Sequence, residues 1–328
     1  MIICRTPFRI SFFGGGTDYP EWYKNNEGRV LSTTINKYSY INCRYLPPFF
    51  DYKFRIRYFK REETQIINEI KHPSVRECLN FLKFKKGVDI VHNADLPARS
   101  GLGSSSTFTV GLLHALYSLK NEMVAKKKLA NEAIHVEQNL IQENVGSQDQ
   151  TAAAFGGLNL IKFKNINDII VEPVLCDKTN LNNLESSLLL YFSGFSRTAD
   201  KFAAKHIKQI KNKNDDLKEM LGLVDESLSI LNKKNQINDF GKLLHEQWSL
   251  KKSISPMATN SNIDYLYNLG IKNGAIGGKL LGAGGGGFML FFVPKPKQKK
   301  FKLKLNKYLN VPFKFDKVGS QIVYHSST

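Results

Sequence analysis

Apolar and polar residues alternate from Arg9 to Phe13, which predicts a strand near the start of the chain. Alternation over Arg29–Ile35 and again over Tyr38–Tyr45 predicts two more strands; Pro47-Pro48 interrupts it and Lys53–Phe59 resumes it. Residues 62–84 suggest helices, and Val88–His92 a short strand. The run Ser104–Tyr117 then reads as a helix. Over Lys126–Glu143 the apolar residues Leu129, Ala133, Val136 and Leu140 share one face, which predicts a single amphipathic helix. Further on, Leu188–Phe192 reads as a strand, and Thr198–Leu231, Phe240–Ser253 and Asn262–Leu269 as helices. The breaks 211–214 and 232–235 read as loops. Phe288–Val293 is a continuous apolar run, the mark of a buried strand. A late helix follows, with Phe301, Leu305 and Leu309 expected to face inward.

At 328 residues and 42% hydrophobic content the chain has room for two globular domains, expected here over 1–185 and 186–328. No run of 18 apolar residues occurs, so no membrane span is expected. Met1-Ile2-Ile3-Cys4-Arg5 leads straight into the first strand, so no secretory leader is expected either. Cys4, Cys43, Cys78 and Cys176 are far apart and form no C-x-x-C, which fits reduced thiols in the cytoplasm. The net charge of +18 is the feature that points elsewhere, toward nucleic acid or an anionic membrane. Its densest part, Lys295–Lys307, lacks the arginines and spaced aromatics of a nucleic-acid surface and reads as a solvated helix face. No nucleic-acid partner is expected.

Three glycine-rich segments carry the chemistry. In Pro97-Ala98-Arg99-Ser100-Gly101-Leu102-Gly103-Ser104-Ser105-Ser106, two glycines free the backbone for close approach and the serines open a helix. Such a turn aims unpaired N–H groups and a partial positive charge at one point, where phosphate binds well. An ordinary serine-capped helix would share this pattern. In the second segment Gly282, Gly284 and Gly287 match G-x-G-x-x-G, but they precede the strand 288–293 instead of opening a helix. This excludes a dinucleotide fingerprint. Four consecutive glycines before a core strand suggest a loop packed against a ligand or against another loop. The third segment, Arg5-Thr6-Pro7-Phe8-Arg9-Ile10-Ser11-Phe12-Phe13-Gly14-Gly15-Gly16-Thr17-Asp18-Tyr19, ends a strand in glycines and a carboxylate.

Together, in this order and spacing over residues 5–293, the three segments resemble the signature motifs of the GHMP small-molecule kinases. The form of the N-terminal segment, Arg5–Tyr19, is similar to the sugar-1-kinase branch that handles heptose 7-phosphate, with fucose kinases nearby. The resemblance implies an α+β fold of two domains, an N-terminal one like a domain of ribosomal protein S5 and a ferredoxin-like C-terminal one. It implies ATP and Mg²⁺, and transfer of phosphate to the C1 hydroxyl of a heptose 7-phosphate in nucleotide-activated heptose synthesis for surface polysaccharide. A kinase of another sugar and a non-catalytic sugar sensor on the same fold are the alternatives. A homodimer is left open as the protein partner.

By the same resemblance Pro97, Ser100, Gly101, Leu102, Gly103, Ser104, Ser105 and Ser106 bind ATP. Ser105 and Glu137 hold the metal, although periodicity alone favours Glu137 as a boundary residue of its helix. Asp149, in the loop Gly146–Gly157, matches the catalytic aspartate, and Arg9 the arginine that pairs with it. Read alone, Asp149 could be a helix cap and Arg9 part of a structural salt bridge. Asp18 matches an aspartate that binds sugar hydroxyls, though an Asx-turn after Gly16 is its plain reading. Gly15 and Gly16 stand where galactokinase has Glu-His, which leaves room for a larger sugar. Gly284 and Gly285 fall on the substrate side. Arg197 is the candidate for the 7-phosphate, or else a solvated helix start; Lys201 and Lys279 are its reserves.

Overall fold

The computed structural model describes residues 1–165, 168–194, 214–233 and 236–326. β1 (Ile2–Phe13) and β2 (Gly28–Tyr45) form the antiparallel spine of the first sheet. The two strands expected between 29 and 45 are thus one strand of 18 residues. A short helix, α1 (Pro20–Tyr23), lies between β1 and β2. β3 (Phe54–Arg57), β4 (Arg61–Thr64) and β5 (Val88–Ala94) extend this sheet in the order β2-β5-β3-β4, with β5 parallel to β3. Hairpin pairing of Arg55 with Glu63 and Ile56 with Glu62 draws 61–64 into a strand. Within 62–84 the α-helix is therefore α2 (Pro73–Phe81).

α3 (Ser104–Leu119) lies on the sheet and buries Val110, Leu112, Leu113 and Leu116 against Ile41, Val88 and Ile90. α4 (Lys126–His135) then passes into a π turn over Val136–Leu140. The wider turn rotates the following residues off the helical period. Leu129, Ala133 and Val136 are buried as expected, whereas Leu140 is thrown out to the surface, a correction to the single-helix reading. Residues 148–155, expected to be loop, form α5 (Gln148–Phe155). β6 (Leu158–Asn165) and β7 (Asp168–Pro173) complete this side of the sheet against β2, and α6 (Lys178–Ser187) leads into the second sheet.

That sheet consists of β8 (Leu188–Gly194), β9 (Gly277–Leu280), β10 (Gly287–Phe292) and β11 (Asn310–Val311). Their order β11-β8-β10-β9, antiparallel throughout, is the 4-1-3-2 order of a ferredoxin-like sheet. Its helices are α7 (Asn214–Asn232), α8 (Ile237–Ile254), α9 (Ser261–Lys272) and α10 (Lys295–Lys304). Both faces of β10 are covered. Phe288, Leu290 and Phe292 join one core while Met289, Phe291 and Val293 join another, hence the continuous apolar run. α10 ends before the period reaches 309, so Phe301 and Leu305 are buried but Leu309 is 65% exposed, against expectation.

The two sheets share a core. Phe8, Ile10, Phe12 and Phe13 of β1 pack with Leu190, Leu244 and Phe292, and the rings of Phe12 and Phe13 both meet Phe240 edge-on, at 5.3 and 5.1 Å. β12 (Phe315–Asp316) and β13 (Gln321–His325) return to the first sheet, β13 lying beside β1 with Ile2 opposite His325. The last strands therefore belong with the first sheet and not with the span 186–328 in which they were expected. All four cysteines are free thiols. Among the described residues no helix is long and apolar enough to cross a membrane.

Candidate active site

Pro7 cannot donate to the β-ladder, and the pairing of β1 with β2 shifts between Pro7 and Arg9. Arg9 therefore donates its backbone N–H elsewhere, to the carbonyl of Leu102 in the glycine loop at 3.2 Å. Its side chain runs the same way. Nε and Nη2 donate to the two carboxylate oxygens of Asp149 at 2.7 and 2.9 Å, and Nη1 donates to the Gly101 carbonyl at 2.9 Å. This is a bidentate, charge-assisted contact with a buried arginine, the strong form of an ion pair. Asp149 lies in the first turn of α5, where the helix dipole favours an anion, and its side chain keeps 24% of its surface exposed. One carboxylate is thereby oriented yet open to a ligand.

The loop between β5 and α3 brings the phosphate-binding features to the same place. Arg99, Gly101 and Gly103 all have left-handed backbones, and no side chain caps α3 at Gly103. The first-turn N–H groups of a helix begun in this way suit an anion. The Ser104 hydroxyl accepts from the Arg99 N–H at 3.0 Å. Pro97 is exposed at the loop's start, while the Leu102 side chain is wholly buried in the shared core and anchors the loop. Ser100 is buried with its hydroxyl unpartnered.

Ser106, and not Ser105, reaches Glu137. The Ser106 hydroxyl donates to Glu137 Oε2 at 2.7 Å, whereas Ser105 is exposed, since neighbouring helical residues point about 100° apart. Gln150 of α5 donates to the same oxygen, and Glu137 Oε1, fully buried, has no partner. Burial pushes this carboxyl up to about 7. An unpartnered buried carboxylate oxygen beside a hydroxyl suits a hard cation that takes most of its ligands from phosphates and water. The π turn places Glu137 here, as such turns do at functional sites.

Asp18 turns back on its own loop, toward the residue two before it and not two ahead as in an Asx-turn. Its Oδ1 accepts from the Gly16 N–H at 2.9 Å, and it is 1% exposed. Burial, and then the charge of Asp149, raises its carboxyl to about 6. Gly16 is buried with a left-handed backbone. Gly15 has room for a side chain: a Cβ there would make ordinary contact with Gln148 Nε2 and the Ser11 hydroxyl, both at 3.7 Å. Ser11 Oγ and Gln148 Oε1 are buried without partners, so the space beside Gly15 is lined by polar atoms.

The two glycine-rich loops pack on each other. A Cβ on Gly101 would lie 2.3 Å from the Leu281 carbonyl oxygen, and one on Gly282 would lie 2.4 Å from the Gly101 Cα. Loop against loop was one of the two readings of the glycine run. Gly284 instead abuts Ala258, to whose carbonyl Gly285 donates at 3.0 Å. Lys279 donates to the carbonyls of Ser11 and Phe12 at 3.1 and 2.7 Å, and Lys251 donates to the carbonyl of Gly282. Arg197 and Lys201 lie outside the described residues. Sequence reasoning missed Ser11, Gln148, Gln150 and Lys251. Gln148 and Gln150 flank Asp149, which was the one available signal; Lys251 reads locally as the solvated end of a helix.

Two glycine loops in contact, an uncapped helix and an oriented carboxylate define a phosphoryl-transfer fold. Residues 70–157 match the GHMP kinases N terminal domain and 227–311 match the GHMP kinases C terminal domain. The D-glycero-alpha-D-manno-heptose 7-phosphate kinase of Campylobacter jejuni is 32% identical over 308 residues, 90% of each chain. The mevalonate kinase of Methanocaldococcus jannaschii is 28% identical over 236 residues, 71% of each. A crystal structure of a D-glycero-D-manno-heptose 1-phosphate kinase from Bacteroides thetaiotaomicron superposes with a TM-score of 0.77 at 25% identity over the whole of both chains. The chain belongs to the GHMP kinase family. Within that family it is a sugar kinase.

Proposed function

We propose that this kinase transfers the terminal phosphoryl group of ATP to the C1 hydroxyl of D-glycero-D-manno-heptose 7-phosphate, giving the 1,7-bisphosphate. The observation that carries the reading is the grip of Arg9 on Asp149 beside the glycine loop. Similarity over 90% of both chains to a heptose 7-phosphate kinase supports the choice of sugar. The reading puts the enzyme in the cytoplasm, where ATP is supplied, in nucleotide-activated heptose synthesis for surface polysaccharide. It keeps the division near residue 186, with 315–326 counted in the first part.

In this reading Asp149, gripped and aimed by Arg9, accepts the proton of the sugar hydroxyl. The C1 oxygen forms a bond to the terminal phosphorus, and the bond from that phosphorus to the bridging oxygen breaks with its electron pair left on ADP. The first turn of α3 and the backbone from Ser100 to Ser106 bind the nucleotide phosphates. Glu137 and Ser106 hold Mg²⁺, which when bound neutralises phosphate charge. The space beside Gly15 takes the sugar, with Ser11 and Gln148 offering hydrogen bonds to its hydroxyls. Gly16, Asp18, Gly284 and Gly285 shape the loops around it, and Arg197 receives the distal phosphate.

ADP release with Mg·ATP, measured against heptose 7-phosphate, free heptose, fucose, mannose, galactose and mevalonate, tests the reading. Turnover on heptose 7-phosphate far above the others is the expected result. Turnover confined to an unphosphorylated sugar would overturn the substrate and remove the role of Arg197. ATP binding without turnover of anything in the panel would favour a sugar sensor.

A further inference from the structure

Three cations meet where the two glycine loops touch. Arg9 and Lys279 are 4% and 5% exposed, and Lys251, at the C-terminal end of α8, is half-buried. Each is fixed to backbone at the junction. Arg9 donates to the Gly101 carbonyl, Lys251 to the Gly282 carbonyl, and Lys279 to the carbonyls of Ser11 and Phe12, two and three residues beyond Arg9. Because Gly101 and Gly282 are in direct contact, Lys251 and Arg9 hold the two sides of one joint. Asp149 gives Arg9 its bidentate ion pair. The lysines donate to neutral carbonyls, with the Trp248 ring centroid 5.9 Å from Lys251 Nζ, and among the described residues neither lysine forms an ion pair. Burial and the Arg9 charge pull Lys251 down to about 8, and burial, Lys251 and Arg9 pull Lys279 well below the usual lysine range. Charges of one sign, taken out of water and held against each other, are costly unless an anion joins them.

We propose that Lys251 binds a phosphoryl group at this joint, with Lys279 as the strut that ties the second sheet to β1 beside it. The anion is a tetrahedral phosphate ester, and a lysine ammonium suits it as a point charge on a flexible stem. Two sources exist in a sugar phosphate kinase: the group in transfer from ATP, and the phosphate the sugar already carries. The proposal rests on the phosphoryl-transfer reading given above. It adds a cation from the second half of the chain, reached through the contact of the two loops.

The test compares Lys251→Met, Lys251→Gln and Lys251→Arg with the wild type, using Mg·ATP with heptose 7-phosphate and with free heptose. If Lys251 holds the group in transfer, kcat falls at least about 10-fold with both sugars in the Met and Gln variants, and Arg recovers part of it. If it holds the sugar's own phosphate, KM for heptose 7-phosphate rises by about the same factor and free heptose is unaffected. Either result supports the proposal. Values of kcat and KM within about twofold of wild type in all three variants overturn it, and a fall in melting temperature alone would leave Lys251 as a tie to Gly282. Calorimetric titration with pyrophosphate keeps the test independent of the sugar. If the wild type turned over neither sugar, the substrate reading would fail. Weaker pyrophosphate binding in the Met variant would then still support Lys251, and unchanged binding would overturn it.

Discussion

Arg9 holds Asp149 by both carboxylate oxygens, at 2.7 and 2.9 Å, across 140 residues of chain. The same guanidinium donates to Gly101, so one side chain sets the carboxylate and the phosphate loop relative to each other. Asp149→Asn is expected to lower kcat by roughly 10²–10⁴-fold, the usual worth of a positioned base. Calorimetry should show ATP binding nearly unchanged. Near-full turnover by that variant would remove Asp149 from the chemistry.

Glu137→Gln separates metal binding from folding. The Mg²⁺ concentration for half-maximal activity should rise at least about 10-fold, because the remaining hydroxyl and amide are weak ligands. In EDTA the variant should melt no lower than the wild type, since it replaces a buried carboxylate whose second oxygen is unpartnered. A magnesium titration and a thermal melt decide both halves.

Gly101→Ala and Gly282→Ala each force a Cβ into opposing backbone at a left-handed φ, +80° and +75°. Each should cost roughly 1–3 kcal/mol or more, seen as a lower urea midpoint, with a larger loss in kcat than in stability. Normal activity in either variant would show that the loops need not touch.

Asp18 gives a pH signature. Its folded carboxyl is raised to about 6, so the folded state binds more protons than the unfolded chain between about 4 and about 6. The contribution is fully present below that window and is lost as pH rises through it, by on the order of 2–3 kcal/mol. Urea unfolding of the wild type should therefore lose stability relative to Asp18→Asn from pH 4 to pH 6 and run parallel to it above pH 7. Parallel curves throughout would show that Asp18 titrates normally.

Phe240 lies between Phe12 and Phe13 in the core common to both sheets. Phe240→Ala should destabilise by about 3–5 kcal/mol, as emptied aromatic sites do. Calorimetry of the wild type should show one transition, because neither half buries its side of that core alone.

The glycine loops were legible because glycine runs at strand and helix ends are local signals of unusual backbone, whereas Arg9 and Asp149 stood out only through the resemblance. The 4-1-3-2 sheet came with the resemblance, not from any pattern in the residues. What stayed hidden was set at a distance or by a local break in period. Ser105 and Ser106 are alike in sequence, and only the docking of α3 against the π turn decides which hydroxyl meets Glu137. That same turn expelled Leu140 from the face its spacing assigns it. β6 joins the first half of β2 from about 130 residues away, and the contact of Lys251 with Gly282 exists only once α8 has packed on the second sheet. Helical or strand spacing carries no trace of either.

β13 closes the outer side of β1, with Arg5 donating to Gln321 at 2.8 Å over a separation of 316 residues. During synthesis that side of β1 has no neighbour until the tail emerges, roughly 15–60 s later at about 5–20 residues per second. An open strand edge is a template for foreign strands. The strand that carries Arg9 is thus among the earliest translated and among the last enclosed, and its outer edge stays open to foreign strands for most of the translation time.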